Sequence, residues 1–504
     1  MGFTSVTFYA FLAFSVIIYY LIPQKVQWMW LLAISTVFYL AASPKFALFL
    51  LFSIVTTYAA GQLIGGLNRK AASWSKPSDG RKRRTKREPP PGLQKKKRAV
   101  LVVTLLFNLG VLLTLKYSNF FLGLFRPDTP ELKLILPLGI SFYTLQVIGY
   151  CIDVYRGKYE PENNLAKYAL FVSFFPQIVQ GPIARFDHLA GQFIRPHRFD
   201  FVRVRSGFQL LLWGLFKKMV VADRVNILVN QVFNNFIDYG GFQIYIACLF
   251  YTMQLYADFS GYVDIARGAA EMFGIELAQN FNHPYFAQSI QDFWRRWHIS
   301  LSSWFRDYLY IPLGGNRKGK VCKYINVLVV FVVSGFWHGA GLNFLVWGLL
   351  HGLYQVVGTL LTPVGDWLAE KFETDRTSFS HRMCKGVITF QLVNFAWIFF
   401  RAETLDQAAC MIRYMFTVYN PWVFFDGSLY KLGLDMKDFR LAVFGFVLIL
   451  IVSLLQEKMH LRERLAKQST SFQFFMTSAA IFSILLFGIY GPGYNAANFI
   501  YANF

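Results

Sequence analysis

The chain is predicted to be an all-α polytopic membrane protein. Its 504 residues are 55% hydrophobic and 18% aromatic, and the mean hydropathy is +0.38. Apolar runs of about 16 to 22 residues recur along almost its whole length, and roughly 20 apolar residues suffice for a helix to cross a ~30 Å hydrocarbon core. This pattern excludes a soluble enzyme and a nucleic-acid-binding protein. We expect about eleven transmembrane helices, with short or re-entrant segments between them.

Three apolar runs, at residues 8–21, 28–42 and 46–64, precede a strongly basic segment. The first run lacks the positive flank and small-residue cleavage site of a signal peptide, so it is expected to be a retained span. Between Arg69 and Arg98 there are thirteen Lys and Arg residues against Asp79 and Glu88, a net charge of +11, which is half of the chain's +22.

Loops rich in Lys and Arg stay on the cytoplasmic side and lie against anionic lipid. Residues 67–98 are therefore predicted to be a cytoplasmic loop, with anionic lipids bound at 69–98 and the N-terminus on the extracytoplasmic side. A binding site for another polyanion is the alternative interpretation of this segment.

The next part of the chain carries unusual polarity inside apolar runs. Residues 99–115 form a clean span, whereas residues 134–154 include several polar positions together with Pro137 and Gly139. Such polarity predicts packing against protein rather than lipid. Two prolines and a glycine around Gln177 and Gln180 predict a broken helix or a re-entrant segment.

The remaining apolar runs alternate with polar motifs. Lys217-Lys218 lies inside the run 208–221, Asp258 follows the run 245–256, and residues 280–285 read as a loop because Asn and Pro punctuate them. Further spans are expected at residues 327–337, 342–357, 386–400, 441–455 and 474–490. Five cysteines without CxxC spacing argue against a disulfide framework and a zinc site. We find no internal repeat and expect one membrane domain over residues 1–504.

The most informative stretch runs from Gln291 to Asn316 and continues to the segment Gly335–Gly339. It places charges, tryptophans and two histidines inside a chain that otherwise has the character of a membrane protein, which marks a candidate functional site. Spacings of three and four predict one continuous helix that ends at Pro312. The stripe on this helix comprises Trp294, Trp297, His298, Leu301, Trp304, Phe305 and Tyr308. One turn apart on it, Asp292 is expected to pair with Arg296.

The basic loop 317–323 is predicted to be cytoplasmic. From Lys323 to His338 there are 15 residues, about 22 Å of helix, and from Pro312 back to His298 there are 14 residues, about 21 Å. Both histidines are therefore expected deep in the membrane at similar depth.

A buried imidazole can take a proton from a hydroxyl near neutral pH. The alternative for His338 is an interhelical hydrogen bond, and for His298 a bond to Ser302 or a carbonyl. His351 is interpreted as structural. The charged residues Asp258, Asp264, Arg306 and Asp307 are expected to form buried ion pairs rather than to act in catalysis.

The segment Gly314–Lys320 nearly fits a phosphate-binding loop. Val321 stands where Ser or Thr would hold magnesium, and no strand is predicted before it. Nucleotide hydrolysis is therefore rejected. No metal site is expected, since motifs such as HExxH are missing from the sequence.

Taken together, these motifs resemble the membrane-bound O-acyltransferase family, in particular the bacterial branch typified by the membrane subunit of alginate O-acetylation. The resemblance is strong over about residues 137–401. The segments that carry it are Pro137–Tyr143, Gln180–Pro182, Gln254–Tyr262, Asn280–Tyr285, Phe293–Ser302, Arg306–Arg317, Trp337–Gly339 and Asn394–Arg401. The long basic insertion after Ile64 departs from what we expect in this branch.

The resemblance implies a ring of helices around a central funnel. The family's near-invariant histidine corresponds to His338, and its second active-site polar residue, Asn or His, corresponds to His298. The resemblance also implies acyl transfer from a cytoplasmic thioester donor, such as acetyl-coenzyme A, to a hydroxyl on the far side of a bacterial plasma membrane, with no bound cofactor. The expected substrate contacts are Gln180, Asp258, Tyr262, Trp294, Trp297, Ser302, Arg306 and Trp337.

In this branch an extracytoplasmic acyltransferase often completes the transfer to a polysaccharide, so such a partner is expected. Two alternatives stay open. One is D-alanyl transfer to teichoic acid from a carrier-protein thioester, although the long portion after Leu353 favours acetyl transfer. The other is a non-enzymatic channel or transporter.

Overall fold

A computed structural model describes residues 2–75, 90–126, 128–130, 132–491 and 494. These described ranges are mostly helical and contain no β-strand, which confirms the predicted all-α class. The chain divides into two compact units. The first contains Val6–Asp200 and Phe273–Leu277, and the second contains Phe3–Ser5, Phe201–Met272 and Ala278–Phe504. The single domain over residues 1–504, with its core at 137–401, stays a prediction.

The first unit contains eight helices within its described residues. They are α1 (Val6–Leu21), α2 (Gln27–Ala42), α3 (Ala47–Ser75), α4 (Pro91–Phe125), α5 (Ile140–Arg156), α6 (Leu165–Ser173), α7 (Phe175–Ile178) and α8 (Phe186–Ile194). The central part of the predicted basic loop, residues 76–89, lies outside the described residues.

The second unit contains thirteen helices in its described part. They are α9 (Phe201–Leu215), α10 (Asp223–Asn234), α11 (Gly241–Met272), α12 (Ile290–Arg296), α13 (Ile299–Phe305), α14 (Gly319–His338), α15 (Leu342–Leu360), α16 (Thr362–Lys371), α17 (Phe379–Arg401), α18 (Leu405–Thr417), α19 (Met436–Lys458), α20 (Leu461–Ala466) and α21 (Thr470–Phe487).

Within the described residues, seven helices are long and apolar enough to cross a membrane, or eight if the bent pair α15 and α16 counts as one span. These helices make the chain a polytopic membrane protein. The predicted number of eleven spans, and the ring with its funnel, stay predictions. Helix α11 is longer than expected, because it runs on through Asp258 and Asp264 to Met272.

The two polar segments of the first unit behave as the sequence predicts. Fourteen of the seventeen residues of α5 are buried, including Gln146, so this helix packs against protein. The chain then breaks at Phe174, forms the single turn α7 and stays irregular up to α8. Gln177 Nε2 donates to Gln146 Oε1 at 2.7 Å, which ties the broken segment to α5.

Helices α14 and α15 form a tightly packed hairpin that carries His338 at its bend. A Cβ built on Gly335 would lie 2.3 Å from the carbonyl oxygen of Phe344, and a Cβ on Gly348 would lie 2.3 Å from that of Phe331. Glycine is required at both positions because only its missing side chain lets the two backbones approach so closely. The small residues before His338 therefore serve helix packing.

Candidate active site

The predicted helix through Trp294 and His298 is broken at His298, and the prediction of one continuous helix is wrong. Helix α12 ends at Arg296, His298 adopts φ 45° and ψ 52°, and α13 begins at Ile299. A π-helical segment, Arg306–Tyr310, follows α13. The prediction failed because hydrophobic periodicity shows which residues face inward. It does not detect a single residue in the left-handed backbone region, such as His298.

The break lies at His298 itself and does not interrupt the residues counted back from Pro312, because Ile299–Phe305 is α-helical and Arg306–Tyr310 is π-helical. The depth of His298 in the membrane stays a prediction. The depth estimate for His338 assumed a continuous helix from Lys323, and the structure contains that helix. Helix α14 is continuous from Gly319 to His338, so Lys323 and His338 are separated by about 22 Å of unbroken helix.

Both histidines are buried and both contact the indole of Trp337. His298 has no exposed surface and His338 is 2% exposed. The ring centroids of His298 and Trp337 lie 6.3 Å apart, and those of His338 and Trp337 lie 4.8 Å apart. Two residues 40 positions apart in the chain, one in the break between α12 and α13 and the other at the end of α14, thus meet on one aromatic side chain.

Aromatic rings enclose the two imidazoles. The Phe259 ring of α11 lies 4.8 Å from that of His298 at an interplanar angle of 78°. On the other side, Trp347 and Phe400 contact His338 at 5.0 and 5.3 Å between ring centroids. We call His298, Trp337, His338, Trp347 and His351 the histidine cluster. Packing against flat rings fixes the orientation of each imidazole.

His351 belongs to this cluster through Trp294. The Trp294 Nε1–H donates to His351 Nδ1 at 3.3 Å, and the Trp347 ring lies 5.1 Å from that of His351. Because Nδ1 accepts this bond, the imidazole proton resides on Nε2. These contacts support the structural interpretation of His351 and give Trp294 a packing role behind His338.

A second polar region, the ion-pair network, lies where α11 packs against the π-helical segment Phe216–Ala222. Lys218 Nζ lies 2.6 Å from Asp258 Oδ1 and 2.8 Å from Asp223 Oδ1. Lys217 Nζ lies 2.7 Å from Asp264 Oδ2. The buried ion pair predicted for Asp258 is therefore confirmed, with Lys218 as its partner. Asp264 also forms the predicted ion pair, with Lys217, but its side chain is 16% exposed.

The other predicted substrate contacts are dispersed. Trp297 is 1% exposed and packs on the Trp397 ring at 5.4 Å, while the Ser302 hydroxyl donates to the Trp297 carbonyl oxygen at 3.3 Å. The Tyr262 ring lies 5.3 Å from Lys218 Nζ, beside the ion-pair network.

Arg306 pairs with Asp307 at 2.9 Å, but its side chain is 64% exposed, so the expectation of a buried pair there is wrong.

Gln180 belongs to the first unit, where it follows α7 in the irregular segment and is buried. Its Oε1 has no hydrogen-bond partner among the described residues. A role for Gln180 in substrate binding stays a prediction.

Sequence reasoning missed the contacts that Phe259, Trp347 and Phe400 make with the histidines. It also missed Asn280, whose main-chain oxygen and Oδ1 accept the N–H groups of Ile299 and Ser300. Phe259 and Asn280 lie inside the motifs Gln254–Tyr262 and Asn280–Tyr285. The prediction considered the charged and histidine residues near them and gave these two residues no role. Trp347, four residues before His351, offered a signal in its helical spacing. Of a metal site there is no sign within the described residues, where no group of three or more His, Cys, Asp or Glu side chains comes together.

The amino-acid sequence of this chain is similar to those of a known family of membrane proteins. The model of MBOAT, the membrane-bound O-acyltransferase family, matches residues 161–402, which include both histidines. The chain is 38% identical over 346 residues to a peptidoglycan O-acetyltransferase of Helicobacter pylori, covering 62% of this chain and 64% of that protein.

It is also 39% identical over 333 residues to a probable alginate O-acetylase of Pseudomonas syringae pv. tomato, with 64% of this chain and 61% of that protein covered. A teichoic acid D-alanyltransferase of Bacillus subtilis is 28% identical over 300 residues, with coverages of 55% and 72%. The chain thus spans less than two thirds of the length of the two O-acetylation relatives. Together with the apolar helices, these matches identify the chain as an integral membrane protein whose residues 161–402 match the membrane-bound O-acyltransferase family.

Proposed function

We propose that this chain is a membrane O-acyltransferase. It moves an acyl group, acetyl in the preferred interpretation, from a cytoplasmic thioester to a hydroxyl of an extracytoplasmic acceptor. The acceptor class is a cell-surface or secreted polysaccharide. The observation that carries this proposal is the meeting of His298 and His338 on Trp337, inside the segment matched by the family model.

In the proposed reaction, the His338 imidazole takes the proton of the acceptor hydroxyl, or of a nucleophile on the partner, as that group attacks the thioester carbonyl carbon. A C–O bond forms, the C–S bond breaks, and the proton passes from the imidazole to the leaving thiolate. His298 orients the donor or stabilises the negative charge on the carbonyl oxygen. The enclosing rings exclude water, which favours transfer to the acceptor over hydrolysis.

The proposal includes an orientation and partners. The chain lies in a bacterial plasma membrane with its N-terminus outside, which requires that the 16-residue α1 crosses the membrane together with α2 and α3 before the basic segment. Anionic lipid binds at residues 69–98; within that range, Arg69 pairs with Glu160 at 2.8 Å and Lys97 lies 4.5 Å from the ring of Tyr155. An acyl thioester such as acetyl-coenzyme A is the donor, and an extracytoplasmic acyltransferase completes transfer to the polysaccharide.

The decisive experiment substitutes His338 by alanine and follows labelled acetyl transfer in membrane vesicles. Because a general base contributes about 100- to 10,000-fold, turnover per folded molecule is expected to fall by that factor. The matched control is His460→Ala, which removes an exposed histidine from the connection between α19 and α20. Normal acylation by the His338 variant overturns the proposal.

The choice of donor separates the proposed function from its alternatives. Vesicles receive either labelled acetyl-coenzyme A or a carrier protein loaded with D-alanine. The higher identity to the two O-acetylation relatives favours the acetyl donor. Transfer from the carrier alone indicates D-alanylation. Solute flux that is independent of His338, without covalent transfer, indicates a channel or transporter.

A further inference from the structure

The break at His298 has an energetic cost that local sequence does not offset. A residue other than glycine in the left-handed region costs about 1–3 kcal/mol and persists only where its surroundings hold it in place. The described residues include only three non-glycine residues of this kind, one of which is His298. Contacts around the break must therefore maintain its conformation.

Asn280 supplies contacts on the helical side of the break. Its main-chain oxygen accepts the Ile299 N–H at 3.0 Å, and its carboxamide Oδ1 accepts the Ser300 N–H at 2.9 Å. These are the first amides of α13, which have no acceptor within the helix. Asn280 has no exposed surface. Asn280 thus anchors both residues that directly follow His298, Ile299 through its main chain and Ser300 through its side chain.

A second bond closes the other side. The Asn282 N–H donates to the Arg296 carbonyl oxygen at 2.9 Å, so residues 280–282 lie along the break on both sides of His298. Irregular backbone is tolerated in the interior of a membrane protein only where protein groups satisfy its N–H and C=O groups. The loop before α12 meets this requirement.

We infer that Asn280 is a positioning residue that holds the imidazole of His298 in its working orientation. Anchoring Ile299 and Ser300 fixes the backbone that follows His298, and with it the direction in which its Cα–Cβ bond leaves the chain. That direction brings the ring against Phe259, at 4.8 Å between centroids, and against Trp337. The inference rests on the proposed function, because acyl transfer is the activity that this orientation serves.

The test compares Asn280→Ala, Asn280→Ser and Asn280→Asp in full-length protein in vesicles with labelled acetyl-coenzyme A. Alanine and serine leave the main-chain bond to Ile299 but remove the carboxamide oxygen. We expect kcat per folded molecule to fall about 100-fold in Asn280→Ala, the effect of a small displacement of a reacting group. The KM for the donor is expected to change far less. Aspartate retains an acceptor oxygen for Ser300, so it is expected to restore most of the lost kcat.

The matched control is Asn420→Ala. Asn420 is also buried, and its Oδ1 accepts the Phe242 N–H at 3.0 Å at the start of α11, away from both histidines. Its kcat per folded molecule is expected to equal that of the unmodified protein. Folded yield is measured for every variant by size exclusion and thermal unfolding, so that lost protein is not counted as lost turnover.

Unchanged kcat in Asn280→Ala or Asn280→Ser, with or without a loss of folded yield, overturns the inference. A kcat for Asn280→Asp as low as that for Asn280→Ala also overturns it, because an acceptor oxygen alone would then not be what matters. His338→Ala serves as the reference for the proposed function. If the unmodified protein transfers no more acetyl than His338→Ala, the proposed function itself fails, which is distinct from failure at Asn280.

Discussion

The second unit buries two polar regions that differ in how their polar groups are accommodated. In the ion-pair network, each lysine lies within 2.8 Å of an oppositely charged carboxylate. In the histidine cluster, His298 and His338 are packed among indole and phenyl rings instead. Both regions look alike in the sequence, as polar residues within apolar runs.

The difference between the two regions suggests different roles: the ion-pair network stabilises the fold, and the two histidines take part in the reaction. Buried charges that neutralise one another hold two helices together, and removal of one partner leaves the other without compensation. Aromatic rings, by contrast, orient an imidazole through packing without binding it in an ion pair. The imidazole nitrogen therefore stays available for the proton transfer that acyl transfer requires. We therefore expect substitutions in the network to act on folding, and substitutions of His298 and His338 to act mainly on turnover.

The largest effect that tests this comparison is expected for Asp258→Ala. Asp258 and Lys218 are almost fully buried, with side chains 2% and 4% exposed. Removing the sole partner of a buried charge costs about 3–5 kcal/mol. Lys218 keeps Asp223 at 2.8 Å, so a loss near the lower end of that range, with thermal unfolding in detergent at a clearly lower temperature, is expected. His338→Ala, measured alongside, is expected to unfold close to the unmodified protein. If the Asp258 variant is stable but transfers no acyl group, Asp258 contacts the substrate, as the sequence predicted.

Asp264→Ala is expected to destabilise less. The Asp264 side chain is 16% exposed, and Lys217 keeps a bond of 2.8 Å to the Ser260 hydroxyl oxygen. A lost hydrogen bond to a charged group costs about 1.5–3 kcal/mol. The difference in unfolding midpoint between the two aspartate variants measures how far burial sets the strength of each pair, and equal midpoints would contradict that ranking.

Substitution of His298 distinguishes its backbone role from its side-chain role. Asparagine adopts the left-handed region more readily than alanine, so His298→Asn is expected to be more stable than His298→Ala by about 1 kcal/mol. Both variants are expected to lose turnover, and asparagine less, since it retains a hydrogen-bonding side chain. Thermal unfolding and acetyl transfer are measured on the same preparations. Equal stability of the two variants would show that the left-handed backbone at this residue has little cost.

The smallest effect is expected for Arg306→Ala. An exposed ion pair contributes less than about 1 kcal/mol, so the unfolding midpoint is expected to stay near that of the unmodified protein. The kinetic measurement then becomes informative, because stability is not in question. A raised KM for acetyl-coenzyme A would assign Arg306 to donor binding, as the sequence predicted, whereas unchanged kinetics would remove it from the site.

Much of the local structure followed from the sequence. Hydropathy predicted the helical membrane class, polar residues predicted that α5 packs against protein, and prolines predicted the break before α8. The spacing of Asp292 and Arg296 predicted their ion pair, which has an N–O distance of 3.1 Å. Each of these features depends on residues within a few turns of one another, so local pattern was sufficient.

The candidate site was predictable only in its residue types. The sequence identified His298 and His338 as candidate catalytic residues and predicted that the charged residues form ion pairs instead. It did not predict the left-handed backbone at His298 or the hydrogen bonds from Asn280. The anchor at Asn280 depends on a hydrogen bond between residues 20 positions apart in the chain. A periodicity argument contains no information about such bonds.

The sequence by itself determined that this chain is a helical membrane protein and which polar residues enter its interior. Only the tertiary structure decided that Lys217 and Lys218 neutralise the aspartates of α11, and that Trp337 contacts both His298 and His338. The physical reason is range. Hydrophobic period and turn chemistry act over neighbouring residues, whereas the partner of a buried charge or ring is chosen by which helix faces pack together.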